Sequence, residues 1–174
     1  MSHLWLRTPP PAAPWLATLG AWLAVASAAL AQEPLRPLDL TTFPRTTLEI
    51  VHHGTGKDAR TYRFDVWVAD TPARAEQGLM FVSDLPESQG MVFPVDPPNV
   101  ENMWMKNTYI ELDMLFVDAA GKVSKIIARA APLSLRTLSS DTEVAAVVEL
   151  KGGEAAKLGL RTGDTVHWKP PVPR

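Results

Sequence analysis

Short apolar segments separated by proline and glycine constrain the fold of this chain more than any other sequence feature. The clearest segment is residues 61–69, in which aromatic or apolar side chains at four alternate positions are separated mostly by polar ones. Such alternation is typical of a strand with one buried face. Further strands are predicted at residues 48–51, 90–95, 102–108, 112–117, 122–128, 145–150 and 164–169.

Only two helices are predicted, and both are short. Thr71 can cap the first helix, Pro72 suits its first position and Gly78 suits its end. The second spans Glu154 to Leu158. Many short strands with only small helices are typical of a mostly β protein, so we expect a compact antiparallel sandwich or closed barrel with two short helices.

The first 31 residues have the features of a cleaved signal peptide. Arg7 gives a modest positive start, an uncharged apolar run covers residues 15–30, and Ala29-Leu30-Ala31 has the small-residue pattern of a cleavage site. An uncleaved membrane anchor is the alternative, but the run is shorter than the ~20 apolar residues of a spanning helix. We therefore expect cleavage near Ala31, no stable membrane insertion afterwards, and a periplasmic or secreted protein.

Proline-rich segments flank the predicted domain. The expected organisation is a signal peptide at residues 1–31, an extended lead-in at 32–46, a single β-rich domain at 47–169 and a flexible tail at 170–174. The chain has 17 Lys and Arg residues against 19 Asp and Glu, which argues against a nucleic-acid partner because such proteins carry a basic surface. Since it has no cysteine, thiol enzymes and disulfide scaffolds are excluded.

The most distinctive stretch, residues 103–123, combines aromatic, cationic, amide and acidic side chains in two predicted strands. If these strands turn back on each other, their polar groups meet at one end of the sheet and can bind a small polar ligand. The predicted ligand-binding residues are Trp104, Lys106, Asn107, Thr108, Asp113 and Arg74. We expect Lys106 and Asp113 to lie within salt-bridge reach, and Trp104 to be at least half buried.

These polar residues also have a structural interpretation. Asn107 and Thr108 could close a turn through side-chain to backbone hydrogen bonds, while Asp113 accepts from turn amides. Arg74 could orient a carboxylate, either that of a ligand or that of Asp113, or it could tie the first helix to the rest of the domain. The sequence leaves both alternatives open.

Methionines raise the question of a copper site, because thioethers suit Cu(I). They are Met80, Met91, Met103, Met105 and Met114. Thioethers alone make a weak site, and His52 and His53 are adjacent on a strand and so point to opposite faces. Packing in the core is the favoured interpretation, and no metal or other cofactor is predicted.

Several motifs resemble those of the family named domain of unknown function 192. They are GLMF at 78–81, LP at 85–86, GMVFPV at 90–95, WMKNTYIELDMLFVDAAGKV at 104–123 and GLRTGD at 159–164. The resemblance covers residues 60–168 and implies a compact, mostly β domain of sandwich or barrel type. Family members commonly have phenylalanine at the position of Met103 and proline at that of Glu111, so this chain has an extra carboxylate beside the polar residues.

These features predict an exported β-domain that binds a small polar or saccharide-like ligand, or an envelope partner, at the end bearing Trp104, Lys106, Asn107 and Asp113. No nucleophile-elbow, metalloprotease, phosphate-loop or dinucleotide motif occurs, so an enzyme is the less favoured class. A hydrolase using Asp113 with a second carboxylate is one alternative. A structural or accessory interaction module is the other.

Overall fold

A computed structural model describes residues 37–54 and 59–169. The predicted signal peptide at residues 1–31, its cleavage site near Ala31 and the predicted tail at 170–174 lie outside these residues, as does the start of the lead-in. Among the described residues, no helix is long and apolar enough to cross a membrane.

The described chain folds into seven strands and two α-helices. The strands are β1 (Arg45–His52), β2 (Arg60–Val68), β3 (Gln89–Met103), β4 (Leu112–Val117), β5 (Val123–Ala130), β6 (Leu138–Lys151) and β7 (Thr165–Trp168), the helices are α1 (Pro72–Gln77) and α2 (Glu154–Leu158), and a 3-10 turn covers Leu40–Thr42.

Both helices begin and end as the sequence predicts. The Thr71 side chain accepts a hydrogen bond from the Arg74 backbone N–H, Pro72 occupies the first turn, and Gly78 ends α1 with a φ of 51°. Gly159 ends α2 with a φ of 71°. Positive φ values favour glycine because it has no Cβ, so local chemistry alone determines where these helices stop.

All seven strands belong to one sheet, in the order β5-β4-β6-β3-β2-β1-β7, which curls into a half-barrel. Neighbouring strands are antiparallel except β2 and β3, which are parallel because the segment containing α1 returns the chain to the same end of the sheet. The prediction of a mostly β fold with two short helices is confirmed, but the antiparallel sandwich or closed barrel was wrong. Among the described residues, the outer strands β5 and β7 share no ladder, so the barrel stays open. Their ends are linked by an isolated bridge between Lys122 and Thr165 and by a few backbone hydrogen bonds beside it.

Strand β3 is longer than predicted, which changes the role of the residues after it. The sequence suggested separate strands at residues 90–95 and 102–108, whereas β3 runs continuously to Met103 with two interruptions of its pairing with β6. Such bulges bend a strand without ending it. Residues 104–111 form the connection to β4, so the predicted strand at 102–108 was wrong for most of its length.

Two apolar clusters use opposite sides of the strands. All six residues of β4 are buried, and alternate side chains join different clusters: Leu115 and Val117 pack in one, Met114 and Phe116 in the other. The first cluster contains Ala155 from α2, and the second contains residues that follow α1. Strand β4 is therefore a central strand covered on both faces.

Candidate functional site

A groove lies between α1 and the start of the β3–β4 connection. Its volume is about 190 Å³. It is lined by Pro37, Leu38, Ala73, Glu76, Gln77, Met80, Phe81, Trp104, Lys106 and Asn107. We refer to it as the α1 groove. Three of the six predicted ligand-binding residues line it, namely Trp104, Lys106 and Asn107.

Backbone hydrogen bonds fix the connection that carries these three residues. Asn107 has a φ of 54°, a left-handed conformation that asparagine tolerates better than most residues, and its carbonyl accepts from the Phe81 N–H at 2.8 Å. Thr108 is buried, its N–H donates to the Met105 carbonyl at 3.1 Å, and its hydroxyl donates to the Lys106 carbonyl at 3.3 Å. Thr108 therefore closes a turn, and it does not line the groove.

Trp104 and Lys106 form the polar and aromatic edge of the α1 groove. Trp104 is 47% exposed, and the Lys106 ammonium lies 5.3 Å from the centroid of its ring. Glu76 lines the groove from α1. Within the described residues, neither Lys106 nor Glu76 forms a salt bridge, so an ammonium and a carboxylate face the groove with their charges available.

Gln77 holds the N-terminal wall of the groove in place. Its side-chain amide donates to the Leu38 carbonyl at 2.9 Å, and its side-chain oxygen accepts from the Leu38 N–H. The same amide therefore satisfies two backbone groups of one residue. Among the described residues, the Asn107 amide has only a contact of 3.9 Å with the Met80 sulfur, so Asn107 keeps more hydrogen-bonding capacity for a ligand than Gln77 does.

Asp113 lies in the protein interior, away from the lining of the α1 groove. It is 0% exposed. One oxygen accepts from the Arg129 N–H at 2.8 Å and the Gly153 N–H at 2.9 Å, and the other accepts from the Ala155 N–H at 2.8 Å. The expected ion pair with Lys106 is absent from the described residues. Asp113 instead fastens the start of α2 to the sheet.

Arg74 ties α1 to the chain before β1. Its guanidinium donates to Asp70 at 2.5 Å and to the Thr42 carbonyl at 3.0 Å, and it lies 5.4 Å from the centroid of the Phe43 ring. Within the described residues, Arg74 has no hydrogen bond to Lys106 and does not itself line the groove. Of the two alternatives that the sequence left open, this geometry favours the structural tie.

Glu149 is a buried carboxyl that sequence reasoning missed. It is 4% exposed, and its Oε2 is buried without a hydrogen-bond partner among the described residues. Burial raises the pKa of Glu149 from 4.5 to about 8, because a carboxylate is poorly solvated in an apolar interior. A signal was present in the sequence, since Glu149 interrupts the apolar run of residues 144–150.

A second polar cluster lies where β1 meets β7. Burial opposes the charge on Asp164, but hydrogen bonds from the Arg161 and His53 backbone N–H groups and from the His52 ring lower its pKa overall. The His53 ring lies 2.7 Å from the Thr165 hydroxyl. Across the described residues, no group of three His, Asp or Glu side chains is arranged to hold a metal ion. This cluster stabilises the β1–β7 edge.

Sequence comparison decides the family. The profile of DUF192, described as Uncharacterized ACR, matches residues 54–168. This chain belongs to the DUF192 family. The resemblance noted from its motifs is thereby confirmed. No curated protein matches the chain.

Two crystal structures are similar to this DUF192 chain along most of their length. One, from Sinorhizobium meliloti 1021, is described as a proposed transcription regulator; it is 32% identical with a TM-score of 0.68, and the match covers 72% of this chain and 95% of that one. The other, from Novosphingobium aromaticivorans DSM 12444, is a protein of unknown function; it is 35% identical with a TM-score of 0.66, and the match covers 71% and 85%. Both chains therefore share the DUF192 fold.

Proposed function

We propose that this DUF192 domain binds a small polar or saccharide-like ligand in the α1 groove. The observation that carries the proposal is the ammonium of Lys106 and the carboxylate of Glu76, unpaired among the described residues, on one groove that also exposes Trp104. Ligand sites typically combine an apolar surface with a few polar groups that fix orientation. An aliphatic body or a sugar ring would pack on the indole, while groups of opposite charge would meet Lys106 and Glu76.

The size of the groove limits the ligand. A volume of about 190 Å³ is below the roughly 300–1,000 Å³ of sites for drug-sized molecules. A single amino acid, a very short peptide or one sugar unit is therefore the expected class. A partner protein could insert only one or two side chains, which makes the envelope-partner alternative less favourable than a small molecule.

A hydrolase based on Asp113 has little support. The second carboxylate near Asp113 is Glu154, whose charge interaction with it is unfavourable. Both residues are buried, and the Asp113 oxygens already accept three backbone hydrogen bonds. A catalytic carboxylate must reach its substrate, whereas Asp113 is enclosed by the protein.

Nucleic-acid binding also has little support. The description of the Sinorhizobium protein raises that function, but this chain has a formal net charge of −2. Proteins that bind nucleic acid depend on clustered Lys and Arg to neutralise phosphates. The α1 groove carries one lysine and one glutamate, which suits a zwitterionic or neutral polar ligand better than a polyanion.

The test is a binding screen on the full chain. Free amino acids, dipeptides and mono- and disaccharides are screened by thermal shift, and calorimetry gives the dissociation constant of any ligand found. Lys106→Met and Glu76→Gln should each weaken binding by roughly tenfold or more, because a hydrogen bond to a charged group contributes ~1.5–3 kcal/mol. Lys157→Met is the matched control, since Lys157 pairs with Glu87 at 2.7 Å outside the groove.

Two outcomes would reject this function. One is a screen in which none of these compounds raises the melting temperature. The other is a ligand whose affinity is reduced as much by Lys157→Met as by Lys106→Met. Capture of a partner protein that is lost in both groove variants would instead support the interaction-module alternative.

We also propose that the mature protein acts outside the cytoplasm. The support is the composition of residues 1–31, with Arg7 before an apolar run and Ala31 at a small-residue cleavage pattern. Cell fractionation with N-terminal sequencing tests this. We expect an exported protein that begins near Gln32, and a cytoplasmic protein that retains its first residues would contradict it.

A further inference from the structure

Glu149 lies between two methionines across the sheet. It is directly opposite Met91 of β3 on one side and directly opposite Met114 of β4 on the other. Side chains of directly opposed residues project from the same face of a sheet, with Cβ atoms about 4.5–5.5 Å apart. Met91 and Met114 therefore flank Glu149 in one row on the same face of the sheet.

This row is sealed inside the protein. Met91 and Met114 are fully buried, and Glu149 nearly so. Within the described residues, Oε2 of Glu149 has no hydrogen-bond partner and no cation pairs with it. Buried polar groups are nearly always paired, so an unpaired carboxyl oxygen on a residue flanked by two buried methionines points to a missing partner.

We propose that Met91, Glu149 and Met114 form a binding site for one soft monovalent cation, Cu(I) or its analogue Ag(I). Thioether sulfur is a soft ligand that suits Cu(I). Binding of the ion displaces the carboxyl proton of Glu149 to solvent, so one carboxylate balances one positive charge and the filled site is neutral and tolerates burial. A divalent ion would leave an uncompensated charge in the apolar interior. The site is separate from the α1 groove and does not depend on its ligand.

The carboxylate distinguishes this site from one made of thioethers alone. Sequence reasoning gave little weight to copper because no histidine accompanies the methionines. Glu149 supplies the missing anionic donor. Met91 and Met114 lie 58 and 35 positions before it in the chain, so only strand register brings the three residues together. Met103 is also on β3 but pairs with Leu138 at the other end of β6, so it is not part of the row.

The experiment measures Cu(I) and Ag(I) binding to the full chain. Cu(I) is titrated anaerobically against a chromogenic Cu(I) chelator, and Ag(I) is followed by calorimetry and thermal shift. We expect one ion per chain, a raised melting temperature with Ag(I), and no comparable effect of Zn(II). Met91→Leu, Met114→Leu and Glu149→Gln should each weaken binding at least tenfold, whereas Met103→Leu, the methionine control, should not.

A second readout needs no variant and so does not depend on whether the substituted proteins fold. With ¹³C-labelled methionine methyl groups, Ag(I) should shift the Met91 and Met114 signals in the wild-type chain and leave that of Met103 in place. Absence of stoichiometric Cu(I) and Ag(I) binding would overturn the proposal. So would binding that shifts other methionines and not these two.

Discussion

Asp113 and Glu149 are buried carboxyl groups on adjacent strands, but they differ in the hydrogen-bond donors that surround them. Asp113 accepts three backbone hydrogen bonds of 2.8 to 2.9 Å. Glu149 has a buried oxygen with no partner among the described residues, and both of its cross-strand neighbours are methionines. The two residues lie in neighbouring rows of the same strand pair, because Asp113 is opposite Leu150.

The difference shows that burial alone does not determine the role of an acidic residue. Three N–H groups directed at Asp113 replace the hydrogen bonds to water that burial removes, so its oxygens are paired where they lie. Glu149 lacks such donors within the described part of the chain, and burial raises its pKa to about 8. Asp113 is thus a structural anchor for α2, while Glu149 is an acid kept neutral near pH 7 and available for a further partner.

The largest expected effect tests the anchor role of Asp113. Asp113→Asn keeps one accepting oxygen but turns an NH₂ group toward N–H donors, so we expect a loss of about 3–5 kcal/mol in the free energy of unfolding. Chemical denaturation measures it. Asp118→Asn is the control, because Asp118 accepts from the Ala120 and Lys122 N–H groups in a turn and should cost about 1 kcal/mol. Equal losses of unfolding free energy in the two variants would show that Asp113 contributes no more to stability than Asp118 does.

The next effect concerns the pH dependence caused by Glu149. Its folded pKa of about 8 lies above the unfolded value of 4.5, so between these pH values the folded state holds a proton that the unfolded state has released. The contribution of Glu149 to stability is complete below pH 4.5 and is lost as the pH rises through 8. From pH 6 to 8, the folding equilibrium should weaken by up to about tenfold per pH unit.

Glu149→Gln should remove this slope, because the amide does not titrate. Denaturation curves of the wild type and the variant at pH 6, 7 and 8 measure the effect. Asp164 provides the contrast within the same chain, since its lowered pKa means that its contribution to stability is lost as pH falls rather than rises. A variant with an unchanged slope would show that another group carries the pH dependence.

The smallest expected effect tests whether Asp113 is energetically coupled to Lys106 in the α1 groove. Lys106→Met should change the free energy of unfolding by less than about 1 kcal/mol, because the ammonium is partly exposed and forms no salt bridge with the described residues. The double variant with Asp113→Asn should be additive within about 0.5 kcal/mol, as expected for residues without contact. Coupling well above that value would mean that the predicted Lys106–Asp113 pair exists in solution.

Elements determined by local chemistry were predictable from the sequence. Thr71, Pro72 and Gly78 fix the bounds of α1 because they act through backbone conformation and capping. Strand β4 appears at the predicted residues, 112–117, because its apolar run is short and bounded by turn signals. Of the six residues predicted to bind a ligand, Trp104, Lys106 and Asn107 line the α1 groove, and ligand binding there stays a prediction.

Contacts between distant parts of the chain were not predictable. Asp113 was placed beside Lys106 because the sequence suggested that residues 102–108 form a strand, whereas bulges carry β3 to Met103 and leave 104–111 as a connection. The groove carboxylate is instead Glu76, which is not among the predicted ligand-binding residues. Its place on the groove follows from where α1 packs, and packing depends on the whole sheet.

By itself, the sequence determined the mostly β composition, the helix bounds and the family, because these depend on residue patterns within a few positions of each other. Only the tertiary structure decided that the sheet stays an open half-barrel, that Asp113 receives three amide donors, and that Glu149 lies between Met91 and Met114. The physical reason is strand register. A shift of one residue moves every side chain of a strand to the other face, and only the packing of the complete sheet selects one register.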